Sequence, residues 1–257
     1  TIIANSETTR ATLPSRAEVT VVPNPLDPAA LRTDPRPTRA ADTFTAAMVG
    51  SGLHINFSLV PVGGGTNAFD EAGAEYGLSS LARQCLGGLI AHHEGLAVMS
   101  APTVNSYKRL VPGIIAGYWA NWGLDNRSST YRIPYERGAA TRIENRMPCG
   151  SANPYLAAAV MLNAALLGVV DGLDCGTPQA GDGDEAPNTD RHTPHNLAEA
   201  VAAYEADALL CEAMGNDLTR AYLAIRNDEL ARWDATGNTF TVDDVTDWEL
   251  TEYLPFY

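Results

Sequence analysis

Arg142, Glu144 and Arg146 recur at every second residue of TRIENRM, residues 141–147. On an extended strand this spacing sets a carboxylate between two guanidiniums on one face, with Ile143 and Asn145 on the other. Such a face is an ordinary ion-pair ladder, or else a Mg²⁺ ligand flanked by arginines that grip phosphate. GSGLHINFSLV, residues 50–60, has the same two-sided pattern. His54, Asn56 and Ser58 align on one face, while Leu53, Ile55, Phe57 and Leu59 form the expected core face. The Gly-Ser-Gly turn before them lets a ligand come close to the backbone. The row reads either as structural polar residues or as a binding surface.

Charge placement admits an anionic ligand. Residues 108–146 contain Lys108, Arg109, Arg127, Arg132, Arg137, Arg142 and Arg146 against only Asp125, Glu136 and Glu144. That is seven bases to three acids, a local +4 in a chain of formal charge −14. The bland alternative is a surface patch laced by salt bridges. Arginine, however, suits planar and multidentate binding of carboxylate or phosphate. Lys108 is the only lysine in 257 residues, so neither a Walker-type loop nor a kinase strand lysine can be assembled. Any nucleotide phosphate must be held by arginine.

Other chemistries find less support. An acidic chain offers no surface for nucleic acid or an anionic membrane. No apolar run approaches the ~18 residues needed to span a bilayer, and no signal peptide is visible. Cys85, Cys149, Cys175 and Cys211 are widely spaced, which predicts free thiols in a reducing cytoplasm. His92 and His93 are adjacent on a predicted helix, a poor chelating geometry, and read as structural. His192 and His195 fall in a polar loop and are expected to be solvated. No HExxH, GxGxxG or serine-nucleophile motif occurs.

The elements that must position these residues read as α+β. Residues 1–46 are proline-interrupted and irregular, with one short strand at EVTVV, residues 18–22. Extended segments are expected at FTAAMV and GSGLHINFSLV, then a helix over 79–99. Strands are expected at STYRIP and ATRIENRM. Asn153-Pro154 opens an apolar helix to about Val170, with proline at a tolerated first-turn position. A Gly/Pro loop follows at 174–195, then helices over 196–213 and 216–235. The aromatic tail VTDWELTEYLPFY is expected to dock on the body.

Six segments together resemble the C-terminal catalytic region of the glutamine synthetase superfamily: GSGLHINFSL, PTVNSYKRLVPG, DNRSSTYRIP, RIENRMP, SANPYLAAAVMLNAALLGV and VTDWELTEYL. The resemblance covers residues 47–257. It implies an antiparallel sheet forming part of a barrel with packed helices, the N-terminal β-grasp domain being largely absent. It implies an ATP-dependent ligase that joins glutamate to ammonia or another amine through a γ-glutamyl phosphate, with Mg²⁺ or Mn²⁺. By position, His54 and Glu144 resemble metal ligands. Gly50 and Gly52 lie at the turn against bound glutamate, Arg109 pairs with its α-carboxylate, and Arg146 lies at its γ-carboxyl end. Asn56, Ser58, Arg127, Arg132 and Arg142 fall at the ATP site, Arg127 being placed to stabilise phosphoryl transfer.

The departures are specific. Ile115 stands where the family's loop carries a glutamate that helps receive an ammonium proton. Val49 replaces an asparagine, and Ala139 stands where some members have lysine. Four further metal-binding glutamates have no counterpart in residues 1–46. No tyrosine occurs at 184–198, so adenylylation control is not expected. Two readings follow. One is a glutamate–amine ligase that takes its missing carboxylates from a partner or a longer chain and assembles as an oligomer. The other is a truncated, non-catalytic binding, structural or regulatory subunit. The apolar Ile114, Ile115, Tyr118 and Trp119 point toward an organic amine.

Overall fold

The computed structural model describes residues 52–114 and 117–253, together with the backbone of 2–4 and 19–21. Ile115, Gly50 and the FTAAMV segment lie outside the described residues. The chain divides into two compact units, Thr1–Val49 with Asp243–Tyr257, and Gly50–Val242. In the first unit β1 (Ile2–Ala4) pairs in parallel with β2 (Val19–Val21), the latter within the expected EVTVV strand.

The larger unit is a small sheet with helices. Its sheet holds β3 (Ile55–Phe57), β4 (Trp122–Leu124), β5 (Tyr131–Ile133) and β6 (Ile143–Asn145) in the order β3-β6-β5-β4. β3–β6 and β5–β6 are antiparallel, but β4–β5 is parallel, which corrects the expectation of an all-antiparallel sheet. The link at 125–130 is short for a parallel connection. It suffices because a three-residue strand rises only about 10 Å, a distance a few extended residues can retrace. Trp122, Tyr131, Ile133 and Ile143 turn into the core. β3 lies at the sheet's edge, so its apolar face is only partly covered. Leu53, Ile55 and Phe57 are half-buried, and Leu59 is 37% exposed rather than core. Phe57 meets Phe69 edge-on at 5.4 Å.

The helices pack through their glycines. α1 (Ser80–Ala91) is capped by Ser79, whose side chain accepts from the Ala82 amide. α2 (His93–Ser100) follows after a break at His92, so the expected single helix over 79–99 is two. α3 (Pro154–Val170) starts as expected, with the Asn153 side chain accepting from Tyr155 and Leu156 amides at 3.0 and 3.3 Å. A Cβ on Gly88 would lie 2.1 Å from the Ala164 carbonyl oxygen, and one on Gly168 would lie 2.2 Å from that of Gln84. Glycine therefore costs helix propensity here and lets α1 and α3 touch backbone to backbone. Beyond the loop, α4 (Leu197–Ala206) and α5 (Ala208–Met214) replace the expected helix over 196–213, and α6 (Asn216–Asp234) follows. In the first unit α7 (Asp247–Tyr253) is capped reciprocally, Thr246 accepting from the Glu249 amide while Glu249 accepts from Thr246.

All four cysteines are free; Cys85, Cys149 and Cys175 are buried. Among the described residues no helix is long and apolar enough to cross a membrane.

Candidate active site

The sheet brings the sequence-predicted residues together through its register. Asn56 and Arg132 both lie opposite Glu144, one on each neighbouring strand. Glu144 is buried, yet each of its oxygens is engaged. Arg132 donates from Nη1 to Oε2 at 2.6 Å, and Arg146 from Nη1 to Oε1 at 3.0 Å. His54 Nδ1 lies 2.9 Å from Oε1. Burial disfavours the Glu144 carboxylate, but the Arg132 hydrogen bond and the charges of Arg146 and Arg132 hold its pKa below the usual range. Burial, followed by the charge of Arg146, pushes His54 down from 6.5.

The carboxylate between two guanidiniums is present, but its partners differ from the one-strand ladder. Arg142 turns away and pairs with Glu136 at 3.2 Å, while its Nε donates to Asn56 at 3.3 Å. Its place beside Glu144 is taken by Arg132 from β5. Arg132 also pairs with Asp125, a partner that alternation along β6 could not reveal. Asp125 has φ 49°, a value Asp tolerates better than most residues.

The remaining candidates surround this network. Gly52 bridges to Cys149, and a Cβ placed on it would lie 3.4 Å from His54 Nε2 and 3.8 Å from Arg109 Nη1. Arg109 donates from Nη2 to the carbonyls of Met147 and Pro148 at 2.5 and 3.1 Å, just beyond β6. Burial pushes the pKa values of Arg109 and Arg146 down, though a guanidinium remains charged in a protein. Arg127 is exposed in the 125–130 link, and its positive charge acts on Arg146. Ser58 lies exposed beyond the end of β3.

The loop before β6 is set by Asp70, a residue that no sequence motif singles out. Asp70 accepts from the Gly138 amide at 2.7 Å and the Thr141 hydroxyl at 2.8 Å. Those two hydrogen bonds lower its pKa. An Asp sixty-eight residues away in sequence carries no local signal of this. Lys108 is buried, with Nζ 5.7 Å from the centre of the Phe240 ring, so the basic pair divides between core and site. Tyr118 is also buried, stacked on His192 at 5.0 Å and 4°. The stacking leaves His192 half-buried, which corrects its solvated reading. His93 is buried between the Tyr131 hydroxyl and the Thr193 hydroxyl, at 3.1 and 3.0 Å, in the structural role expected of it.

The donor set does not make a divalent metal site by itself. His54 and Glu144 face one another and are spent on each other and on guanidiniums. Among the described residues no three His, Cys, Asp or Glu side chains group as ligands. Mg²⁺ prefers an oxygen-rich octahedron, so these two residues alone do not fit one. Chemically, the arrangement is a cationic surface around one neutralised carboxylate.

Residues 38–253 match the family described as glutamine synthetase, catalytic domain. The chain is 37% identical over 214 residues to a glutamine synthetase of Clostridium saccharobutylicum, a match covering 81% of this chain and 46% of that protein. A Thermus thermophilus glutamine synthetase is 38% identical over 214 residues, with the same 81% and 46% coverage. Among solved structures, a GmaS/ADP complex aligns with a TM-score of 0.66 at 34% identity, covering 80% of this chain and 46% of that one. GmaS without ligand aligns at 0.64 and 36% identity, covering 80% and 45%. The chain spans about half the length of the curated relatives it matches. With the family's domain matched over most of its length, the chain belongs to the glutamine synthetase family.

Proposed function

We propose that this chain is the C-terminal catalytic region of an ATP-dependent ligase, which forms a γ-glutamyl amide from glutamate and ammonia or an organic amine by way of a γ-glutamyl phosphate. The observation that carries this reading is the gathering of Arg109, Arg132 and Arg146 around Glu144, His54 and Gly52 in an otherwise acidic chain. Arg109 and Arg146 would hold the two carboxyl ends of glutamate beside Gly50 and Gly52. Arg127, Arg132 and Arg142, with Asn56 and Ser58, would receive the nucleotide, Arg127 stabilising charge on the transferring phosphoryl group. The ADP complex of the structurally similar GmaS supports ATP as the nucleotide. Metal ions of the family's kind, Mg²⁺ or Mn²⁺, would need ligands beyond His54 and Glu144, and the rest of the site would come from further chain or from a partner subunit.

Calorimetry with ATP and glutamate tests the reading, followed by assay of glutamate-dependent phosphate release with ammonium and a panel of amines. Nucleotide binding that is lost in Arg127→Ala is expected, without turnover by this chain alone. No ATP binding, even with a co-purified partner, would sink the ligase reading. Robust turnover by the isolated chain would remove the need for a partner. A second reading, a non-catalytic subunit, draws on the fully engaged Glu144. ATP binding without turnover in any complex would favour it.

A further inference from the structure

Glu144 presents no free oxygen to a cation. Its side chain is 6% exposed, Arg132 and Arg146 donate to it, and His54 Nδ1 lies 2.9 Å from Oε1. Asp125, the next nearest acid in the network, is turned to the other arm of Arg132. A divalent ion seated on Glu144 would displace a guanidinium and then sit among the charges of Arg132 and Arg146. An incoming anion meets the opposite situation. Residues 108–146 carry seven bases against three acids, and two of those bases, Arg132 and Arg146, are held by the single carboxylate of Glu144. Arg127 adds an exposed positive charge that acts on Arg146.

We infer that this chain binds a phosphate- or carboxylate-bearing ligand on Arg132 and Arg146 without a divalent cation, and that Glu144 is a built-in competitor for those guanidiniums. The inference rests on the ligase reading for the class of anion, but its geometry is that of Arg132, Arg146 and Glu144. Ligand entry then requires the Arg132 and Arg146 arms to be shared with, or drawn from, Glu144. The position that the family resemblance gives to a metal ligand acts in this chain as a gate on anion affinity.

The experiment is calorimetry of the whole chain with inorganic phosphate, pyrophosphate and ADP, each in EDTA and in Mg²⁺. It is run on wild-type protein and on Glu144→Gln, which keeps the shape and removes the charge. Binding in EDTA that Mg²⁺ does not improve is expected, with pyrophosphate affinity rising about tenfold in Glu144→Gln, as removal of a like charge a few ångströms away permits. Binding that appears only with Mg²⁺, or that weakens in Glu144→Gln, would overturn the inference and leave the ligase reading standing. Absence of binding by all three probes, with and without Mg²⁺, would overturn the inference, and the ligase reading falls with it only if ATP also fails to bind in the presence of a co-purified partner. The EDTA comparison is made on wild-type protein, so the inference remains open to refutation even if the variant does not fold.

Discussion

His92 and Asp207 meet at 2.6 Å, Nδ1 to Oδ2, and each stands at the break of a helix. The second oxygen of Asp207 accepts from the Leu210 amide at 3.1 Å, so one carboxylate caps α5 and anchors the α1–α2 corner. Gly95 leaves room for it, since a Cβ there would lie 3.0 Å from Oδ2. Two helix interruptions 115 residues apart are thus one interaction.

Asp207→Ala removes a cap and leaves His92 without its partner. A loss of about 2–3 kcal/mol is expected, about 1 of it from the cap and the rest from the partly buried hydrogen bond. Urea denaturation measures it. A change within about 0.5 kcal/mol, the range of ordinary surface substitutions, would mean the pair does not hold the corner.

Gly168→Ala should cost about 3 kcal/mol or more, because its Cβ would meet the Gln84 carbonyl oxygen at 2.2 Å and the Gly88 amide nitrogen at 2.4 Å. The same change at Gly237, where a Cβ meets nothing within 4 Å, is strained only by its φ of 71° and should cost about 1 kcal/mol. Thermal melts of the two variants side by side test whether α1 and α3 touch at this point.

Arg132→Ala and Arg142→Ala should separate sharply. Arg132 neutralises a buried carboxylate, and its loss should cost about 3 kcal/mol. The Arg142–Glu136 pair is exposed, so its loss should cost under about 1 kcal/mol. Equal costs would return Arg142 to the one-strand ladder beside Glu144.

Stability should depend on pH through His93. Burial pushes its pKa down from 6.5 to about 4. Between those values the unfolded chain binds the proton and the folded chain does not, so stability rises with pH across the window. It is complete above about 6.5 and falls away toward pH 4, by about 3 kcal/mol at most. Chemical denaturation at several pH values should show a shallower slope between pH 4 and 6.5 for His93→Gln than for wild type. An unchanged slope would refute the assignment.

Much of the site was legible because strand periodicity is local. His54, Asn56 and Ser58 do share an exposed face, as alternation in GSGLHINFSLV requires. What alternation could not supply was the neighbouring strand. Arg132 and Arg142 are alike as residues near Glu144 in sequence, and only the β5–β6 register chooses the first. Asp70 and Asp125 act through folded loops, which no spacing rule encodes. The helix breaks at His92 and Asp207 are hidden for the same reason, since neither residue is a strong breaker by itself.

By itself, then, the amino-acid sequence determined the α+β class, the long apolar helix after Asn153-Pro154, the concentration of arginine on residues 108–146 and the family. These follow from periodicity, capping chemistry, composition and the order of motifs, all readable along one chain. The tertiary structure alone decided that β4 and β5 run parallel, that glycines weld α1 to α3, and that Glu144 is already satisfied by Arg132, Arg146 and His54. Each of these depends on which distant groups come within a few ångströms. That proximity decides whether the same carboxylate invites a cation or competes with an anion.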